Sequence, residues 1–172
     1  KKMSWRVFQR LANEAYGGKQ SDGAWDIKQA YDAMELFFNK DVVGGKKGGA
    51  SNSTPSQVKV QIGMYEDVQS RLPTQTRRSE EQQALQQFST THTHSHAVAW
   101  VAGIKPDDIV LEPSAGTGNL AAHAWQFGPD KIYANELSEY RASMLKQLKK
   151  LDAVMTENAQ HIHAVFPKNL DK

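Results

Sequence analysis

The chain of 172 residues has no cysteine. That rules out disulfides and thiolate metal sites and fits a cytoplasmic setting. Nor is there an apolar run near the ~20 residues that a membrane helix needs, or a secretory apolar core among the first residues, so no membrane partner is expected. Charge of one sign is also missing: 21 Lys and Arg stand against 19 Asp and Glu, a formal net charge of +2. A balance that small does not announce nucleic acid. Any basic footprint must be local, and Arg77-Arg78 or the Lys146, Lys149 and Lys150 face could supply it. A solvated helix face is the simpler reading of both.

What is present changes character near residue 88. Met3 to Tyr16 carries Trp5, Phe8, Leu11, Ala12 and Ala15 at helical spacing, closed by Gly17-Gly18. Asp22 reads as the N-cap of a second helix with Ile27, Ala30, Tyr31, Met34, Phe37 and Phe38 on one side. The glycine-rich stretch 44–53 reads as a flexible linker, since it lacks the Gly-Lys-Ser/Thr ending of a phosphate loop. Thr54-Pro55-Ser56-Gln57 is a capping box with proline at the first helical position. Val58, Ile62, Tyr65 and Leu72 give that helix its buried stripe, and Pro73 stops it. Ser79-Glu80-Glu81-Gln82 is a second capping box, opening a helix into Gln87. Residues 1–88 therefore read as a helical N-terminal region, whose aromatic residues sit at core spacing.

From residue 89 the pattern alternates. A loop through Ser89-Thr90-Thr91 leads to a helix from about His94 to Ala102. Then come a strand at 108–112, a helix at 119–127, a strand at 131–135, a helix from Ser138 to Lys150 and a strand at 153–155. Strands alternating with helices imply a parallel sheet with right-handed crossovers. The fold class is α/β, with the helical layer followed by a partial Rossmann-like domain at 89–172. The last long helix is expected to bury Tyr140, Met144, Leu145, Leu148 and Leu151.

The stretch that organises this half is Val110-Leu111-Glu112-Pro113-Ser114-Ala115-Gly116-Thr117-Gly118-Asn119-Leu120. It reads as strand, glycine turn and helix start, a context in which main-chain N–H groups face a ligand. Glu136 follows Gly116 by 20 residues, at the end of the second strand, where a carboxylate can accept from two ribose hydroxyls. Glu112 beside the turn would repel a pyrophosphate. It would attract the sulfonium and ammonium groups of S-adenosylmethionine (SAM), which favours SAM over NAD. Gly116, Gly118 and Ala121 also fit the dinucleotide pattern, so an NAD-type Rossmann domain stays as an alternative.

Leu111 to Gly118 resembles the first SAM-binding motif of N6-adenine DNA methyltransferases, and Gln86-Gln87-Phe88-Ser89-Thr90 resembles the segment that precedes it there. The combination is most similar to the methylase region attached to bacterial and phage helicases of the strawberry-notch type, over roughly Leu85 to Phe166. The resemblance implies a set of roles. Phe88, Ser89 and Thr90 would cover the methionine end of SAM. The turn Pro113, Ser114, Ala115, Gly116, Thr117 and Gly118 would receive it against bare backbone. Glu112 would face its amino group, Glu136 the ribose, Leu137 an adenine face, and Asn158 the adenine amine, where the family usually has aspartate.

Two departures stand out. Thr91 replaces a usual proline, and the Asn/Asp-Pro-Pro-Tyr/Phe motif that performs the chemistry does not occur. No catalytic residue is therefore assigned. The expectation is a fragment that binds cofactor, inactive alone, of a protein that methylates adenine swung out of DNA. A non-catalytic SAM- or DNA-binding module of a helicase or restriction-type protein is the other alternative.

His92, His94 and His96 alternate at a loop-to-helix start, where His92 and His96 would share a helical face. With no carboxylate or cysteine beside them, no metal site is assigned. In the family's sheet the first strand lies centrally beside the fourth. Without that neighbour, Ile109 to Leu111 would leave an open edge, expected to be covered by an N-terminal helix, a second copy or another chain.

Overall fold

The computed structural model describes residues 1–73 and 89–165. Phe88 and the second capping box, Ser79 to Gln82, lie outside the described residues.

Helix α1 spans Trp5–Tyr16, capped by the Ser4 side chain and closed by Gly17 at φ 70°. Helix α2 spans Ile27–Val42 and starts later than expected: Asp26, not Asp22, is its cap, with Gln29 completing the box. The delay has a cause. Gln20–Asp22 form a 3-10 turn that ends at Gly23 with φ 76°. That reversal lets Trp25 sink into the core at 3% exposure, its Nε1 donating to Asn13 at 2.9 Å.

Helix α3, Pro55–Arg71, begins with the expected Thr54–Gln57 box. Of its proposed stripe only Val58 is buried. Ile62, Tyr65 and Leu72 are half-buried, and Val60, Met64 and Val68 are exposed. The reason is thin packing, since α3 rests mainly on helix α4, His92–Val101. Thr91 caps α4, accepting from the His94 N–H, so α4 opens two residues before the expected His94.

The 44–53 stretch is no free linker. The Gly48 N–H donates to the Trp125 carbonyl at 3.4 Å and the Ala50 N–H to that of Gln126 at 2.9 Å. A Cβ on Gly128 would stand 2.7 Å from the Gly48 Cα, so the two strands of backbone touch directly.

Strands β1 (Ile109–Glu112), β2 (Lys131–Asn135) and β3 (Ala153–Met155) form a parallel sheet in the order β1-β2-β3, with Glu112 opposite Ala134. Helix α5, Asn119–Phe127, joins the first pair, and α6, Glu139–Leu145, joins the second. Two right-handed crossovers moving in one direction put both helices on one face of the sheet. This is a mixed α/β architecture, a truncated Rossmann-like sheet.

Helix α6 is shorter than expected. It passes into a 3-10 turn, Lys146–Leu148, and Lys149 at φ 53° swings the chain toward β3. Met144, Leu145 and Leu148 are buried, whereas Tyr140 is 36% exposed. A final short helix α7 spans Ile162–Val165.

Helix α2 packs on both α5 and α6. Its Leu36 and Val42, with Val43 after it, share one core with Ala121, Ala122, Trp125, Ile132, Ala134 and Leu145. Burying that many apolar side chains at about 1.5–3 kcal/mol each is what presses α2 over the tips of the strands. β1 is an outer strand of the described sheet, with Ile109 37% exposed and Val110 and Leu111 half-buried. Among the described residues no helix is long and apolar enough to cross a membrane.

Candidate functional site

The turn after β1 is held by main-chain bonds to β2. The Ala115 N–H donates to the Asn135 carbonyl at 2.8 Å, and the Asn135 amide reaches the Pro113 and Glu157 carbonyls at 3.0 and 2.8 Å. Gly116 takes φ 58°, which L side chains rarely adopt, and its N–H donates to Glu136 Oε2 at 2.8 Å. Glu136 Oε1 accepts from the Ser138 N–H at 2.9 Å, and Glu136 is only 7% exposed. Each carboxylate oxygen thus spends one of its acceptor positions on backbone and keeps another.

Gly118 has a packing role of its own. At φ 104°, a Cβ there would meet Leu148 and Leu145 methyls at 2.7 and 2.8 Å. Its bareness lets Leu145 and Leu148 pack against the start of α5.

Over this turn lies a polar face of α2 that sequence reading missed. Glu35 Oε2 accepts from the Thr117 hydroxyl at 2.7 Å and from the Ser89 hydroxyl at 2.8 Å. The Asn39 amide donates to the Thr117 carbonyl at 2.9 Å and to Asn119 Oδ1 at 2.7 Å. Asn119 in turn donates to the Thr90 carbonyl at 2.7 Å. Arg141, 4% exposed, reaches across from α6. Its Nη2 donates to Ser89 Oγ at 2.9 Å and lies 3.8 Å from Glu35, while its Nε lies 3.5 Å from Asp32. A Cβ on Gly116 would touch that guanidinium at 3.2 Å. The signal was in the sequence: Asp32, Glu35 and Asn39 recur at intervals of three and four, a polar stripe running beside the apolar one.

Burial pushes the Asp32 carboxyl up to about 6, with Glu35 adding to the rise and Arg141 and Lys28 opposing it. Burial also raises Glu112, opposed by the Ser114 N–H that its Oε1 accepts at 3.1 Å.

The hollow that remains is small. It has a volume of about 30 Å³, walled by Ser89, Thr90, residues 114–117, Asn119 and Leu120. So Ser89, Thr90, Ser114, Ala115, Gly116 and Thr117 come together as expected, and Glu136 is bonded to their turn. Glu112, folded back on Ser114, does not line the hollow, and neither do Pro113, Gly118, Leu137 and Asn158. Leu137 stands 51% exposed beside Glu136. Asn158 acts as a turn residue: its Oδ1 accepts from the Gln160 N–H at 3.0 Å, capping the 3-10 turn Ala159–His161. That uses one of the two acceptor positions of its oxygen.

Behind α5 the histidines regroup. His92 Nδ1 and His123 Nε2 are 3.1 Å apart, and the rings of His92 and His96 each lie 5.4 Å from that of His123, with Tyr65 against all three. His94 turns away to Thr91. Burial lowers His92 to about 4 and His123 to about 3, and lowers His96 as well, so all three are neutral near pH 7. Among the described residues no group of three imidazoles or carboxylates is placed to hold a metal ion.

Over 94 residues, 55% of its length, the chain is 34% identical to the probable histone-arginine methyltransferase CARMER of Drosophila melanogaster and to histone-arginine methyltransferase CARMER of Drosophila erecta. The counterpart from Drosophila willistoni is 33% identical over the same length. Over that stretch the chain resembles methyltransferases. It spans 17% of the length of the first two and 16% of the third. These relatives are named for arginine in histones, so the expected likeness is met at the level of methyltransferase and not of the adenine-DNA type. No family model matches the chain. No solved structure matches it.

Proposed function

We propose that this chain is the SAM-binding part of a methyltransferase. The observation that carries the reading is the bond from the Gly116 N–H to Glu136, which joins the glycine turn and the ribose-type acid in one unit at adjacent strand tips. Bound SAM supplies an electrophilic methyl on sulfonium. The chain's own part is to hold and orient it. Glu136 keeps one acceptor position on each oxygen for the ribose hydroxyls, Leu137 offers an apolar surface for a ring, and Ser89 and Thr90 close over the other end.

The donor set fits, but the space in this arrangement does not. Sites for molecules of this size hold ~300 Å³ or more, against about 30 Å³ here. Binding therefore requires Arg141 and the Glu35 face of α2 to draw back from Gly116, and the ion pairs described above define the closed form. The two neutral–acid contacts of Glu35 and the long 3.5 and 3.8 Å ion pairs are the parts that must give way.

For the acceptor, the Glu-Pro-Ser-Ala-Gly-Thr-Gly run favours adenine N6 in DNA. The relatives named for histone arginine favour a guanidine acceptor as a second reading. The NAD alternative is disfavoured by Glu112 at the turn. Calorimetry against SAM and NAD, on the wild type and on Glu136→Ala, tests the proposal. SAM binding that is lost in the variant is expected, and binding of NAD alone would end the reading. Methyl transfer from labelled SAM to duplex DNA or to a histone peptide, assayed with the longest protein that carries this sequence, then decides the acceptor.

A further inference from the structure

The sheet stops pairing at its carboxyl end on both sides of β2. Its last rung with β1 is Glu112 opposite Ala134, and with β3 it is Asn135 opposite Met155. Beyond β1 the ladder cannot continue, because Pro113 has no N–H to give. Past their last rungs the strands part, and in a parallel sheet the crevice that opens there is where ligands bind. The turn at 114–117, which walls the hollow, stands on one side of it. The turn through Glu157 and Asn158 stands on the other.

One side chain bridges the gap. Asn135 is 1% exposed at the tip of the middle strand. Its Nδ2 donates to the Pro113 carbonyl at 3.0 Å and to the Glu157 carbonyl at 2.8 Å, and its Oδ1 accepts the Glu157 N–H at 2.9 Å. Toward β3 the amide behaves as an added peptide group, both giving to and taking from Glu157. Toward β1 it takes the carbonyl of the proline that ended the ladder, while its own main-chain carbonyl holds the Ala115 N–H at 2.8 Å. One nitrogen reaches both flanks, so at this level the two turns stand no further apart than its two bonds allow.

Strand stability alone does not call for asparagine here. It is a poor strand residue, and burying an amide is unfavourable unless its groups are matched. Ile132 and Ala134 in the same strand are buried without that cost. What a matched amide adds is one fixed arrangement of the backbones around it. Those backbones lead into the walls of the hollow on one side and the Asn158 turn on the other, and the next residue in the chain is Glu136.

We propose that Asn135 is a positioning residue of the methyl-donor site. It holds the turns after β1 and β3 at one separation, so that the parts of a single SAM molecule on either side of Glu136 meet seats already in line. The inference rests on the SAM reading and deepens it. A ligand that spans both turns depends on Asn135, whereas one that engages Glu136 and a single turn does not.

The test is calorimetry of the full chain with SAM and with adenosine, on the wild type, Asn135→Asp and Asn135→Leu, together with the side-chain NH2 signal of Asn135 in wild-type NMR spectra. Asn135→Asp keeps the acceptor for the Glu157 N–H and loses both donors; Asn135→Leu keeps the bulk and drops every side-chain bond. Each should weaken SAM about thirty-fold and adenosine by no more than about three-fold, because misaligned seats penalise only the ligand that must fill both. In the wild type the NH2 pair should exchange slowly with water and shift when SAM is added. Equal losses for the two ligands would make Asn135 a residue of general stability and overturn the proposal. Unchanged SAM affinity in both variants, or an NH2 pair that SAM leaves unmoved, also overturns it. Where a variant does not fold, the wild-type NH2 signal decides. A wild type that binds neither ligand ends the SAM reading itself and this proposal with it, a failure visible without any variant.

Discussion

Glu136 accepts the Gly116 N–H at 2.8 Å, and through that bond the end of β2 is fastened to the turn after β1. The other oxygen of the same carboxylate holds the Ser138 N–H, which begins α6. One buried acid therefore sets the spacing of the strand tip, the glycine turn and the next helix.

Glu136→Gln should be costly in two ways. A glutamine offers one oxygen in place of two, so either Gly116 or Ser138 loses its acceptor and faces an amide NH2 instead. Loss of about 1–3 kcal/mol in urea unfolding is expected. SAM binding in calorimetry should fall below detection, and an unaltered affinity would remove Glu136 from the site.

The two glycines of the turn should respond differently to alanine. At Gly118 the new methyl meets Leu148 and Leu145 at 2.7 and 2.8 Å in a left-handed backbone. About 2–4 kcal/mol of destabilisation is expected. At Gly116 the neighbour is the end of the Arg141 side chain at 3.2 Å, which can shift. The cost there should be closer to about 1–2 kcal/mol. Thermal melts of the pair check the order; equal losses would mean that the Leu145–Leu148 packing is looser than described.

Glu35→Ala removes the shared acceptor of Thr117 and Ser89. A modest loss of stability, about 1 kcal/mol, is expected. If closure of α2 is what limits the cofactor site, SAM should bind several-fold more tightly and associate faster in stopped flow. Asn39→Leu is the contrasting change. It strands the buried Thr117 carbonyl and should cost about 1–3 kcal/mol with no gain in binding.

Acid should weaken the fold through the histidine cluster. His92 and His123 are lowered from 6.5 to about 4 and about 3, so the unfolded chain binds more protons than the folded one as pH falls below 6.5. Their stabilisation is full above pH 6.5 and is lost down to about pH 3–4. Asp32 acts with the opposite sign. Raised from 3.8 to about 6, it favours the folded chain at low pH, and that contribution disappears as pH rises through 6. The histidines outnumber it, so urea midpoints should drop between pH 7 and pH 5. His123→Phe should flatten that slope, and Asp32→Asn should steepen it.

Much of the strand–turn–helix half was readable because its signals are local. The bounds of α5, β2 and β3 follow from apolar runs separated by Gly116-Thr117-Gly118, by Gly128 and by Ser138. The Thr54–Gln57 box placed the start of α3 for the same reason. What escaped is what acts across the chain. Nothing beside Arg141 in sequence says that it will meet Asp32 and Glu35, more than a hundred positions away. His123 gave no sign that it would join His92 and His96, because only the packing of α4 on α5 brings it there. Asp22 reads as the helix start in the sequence, whereas Asp26 fills that place in the structure. The choice between them was made by Trp25, whose burial requires the reversal at Gly23.

The contact of Gly48 with Gly128 makes the two positions unequal. A Cβ on Gly128 would press on the Gly48 Cα at 2.7 Å and lift the 44–53 segment off the end of α5, and no change at Gly48 could make room, since it is already bare. A Cβ on Gly48 would meet Gly128 at 3.6 Å, an ordinary contact, so its cost is that of a φ of 71° alone. Substitution should therefore be resisted most at Gly128, where its first effect would be felt in the seat of the glycine-rich segment while the sheet itself stays intact.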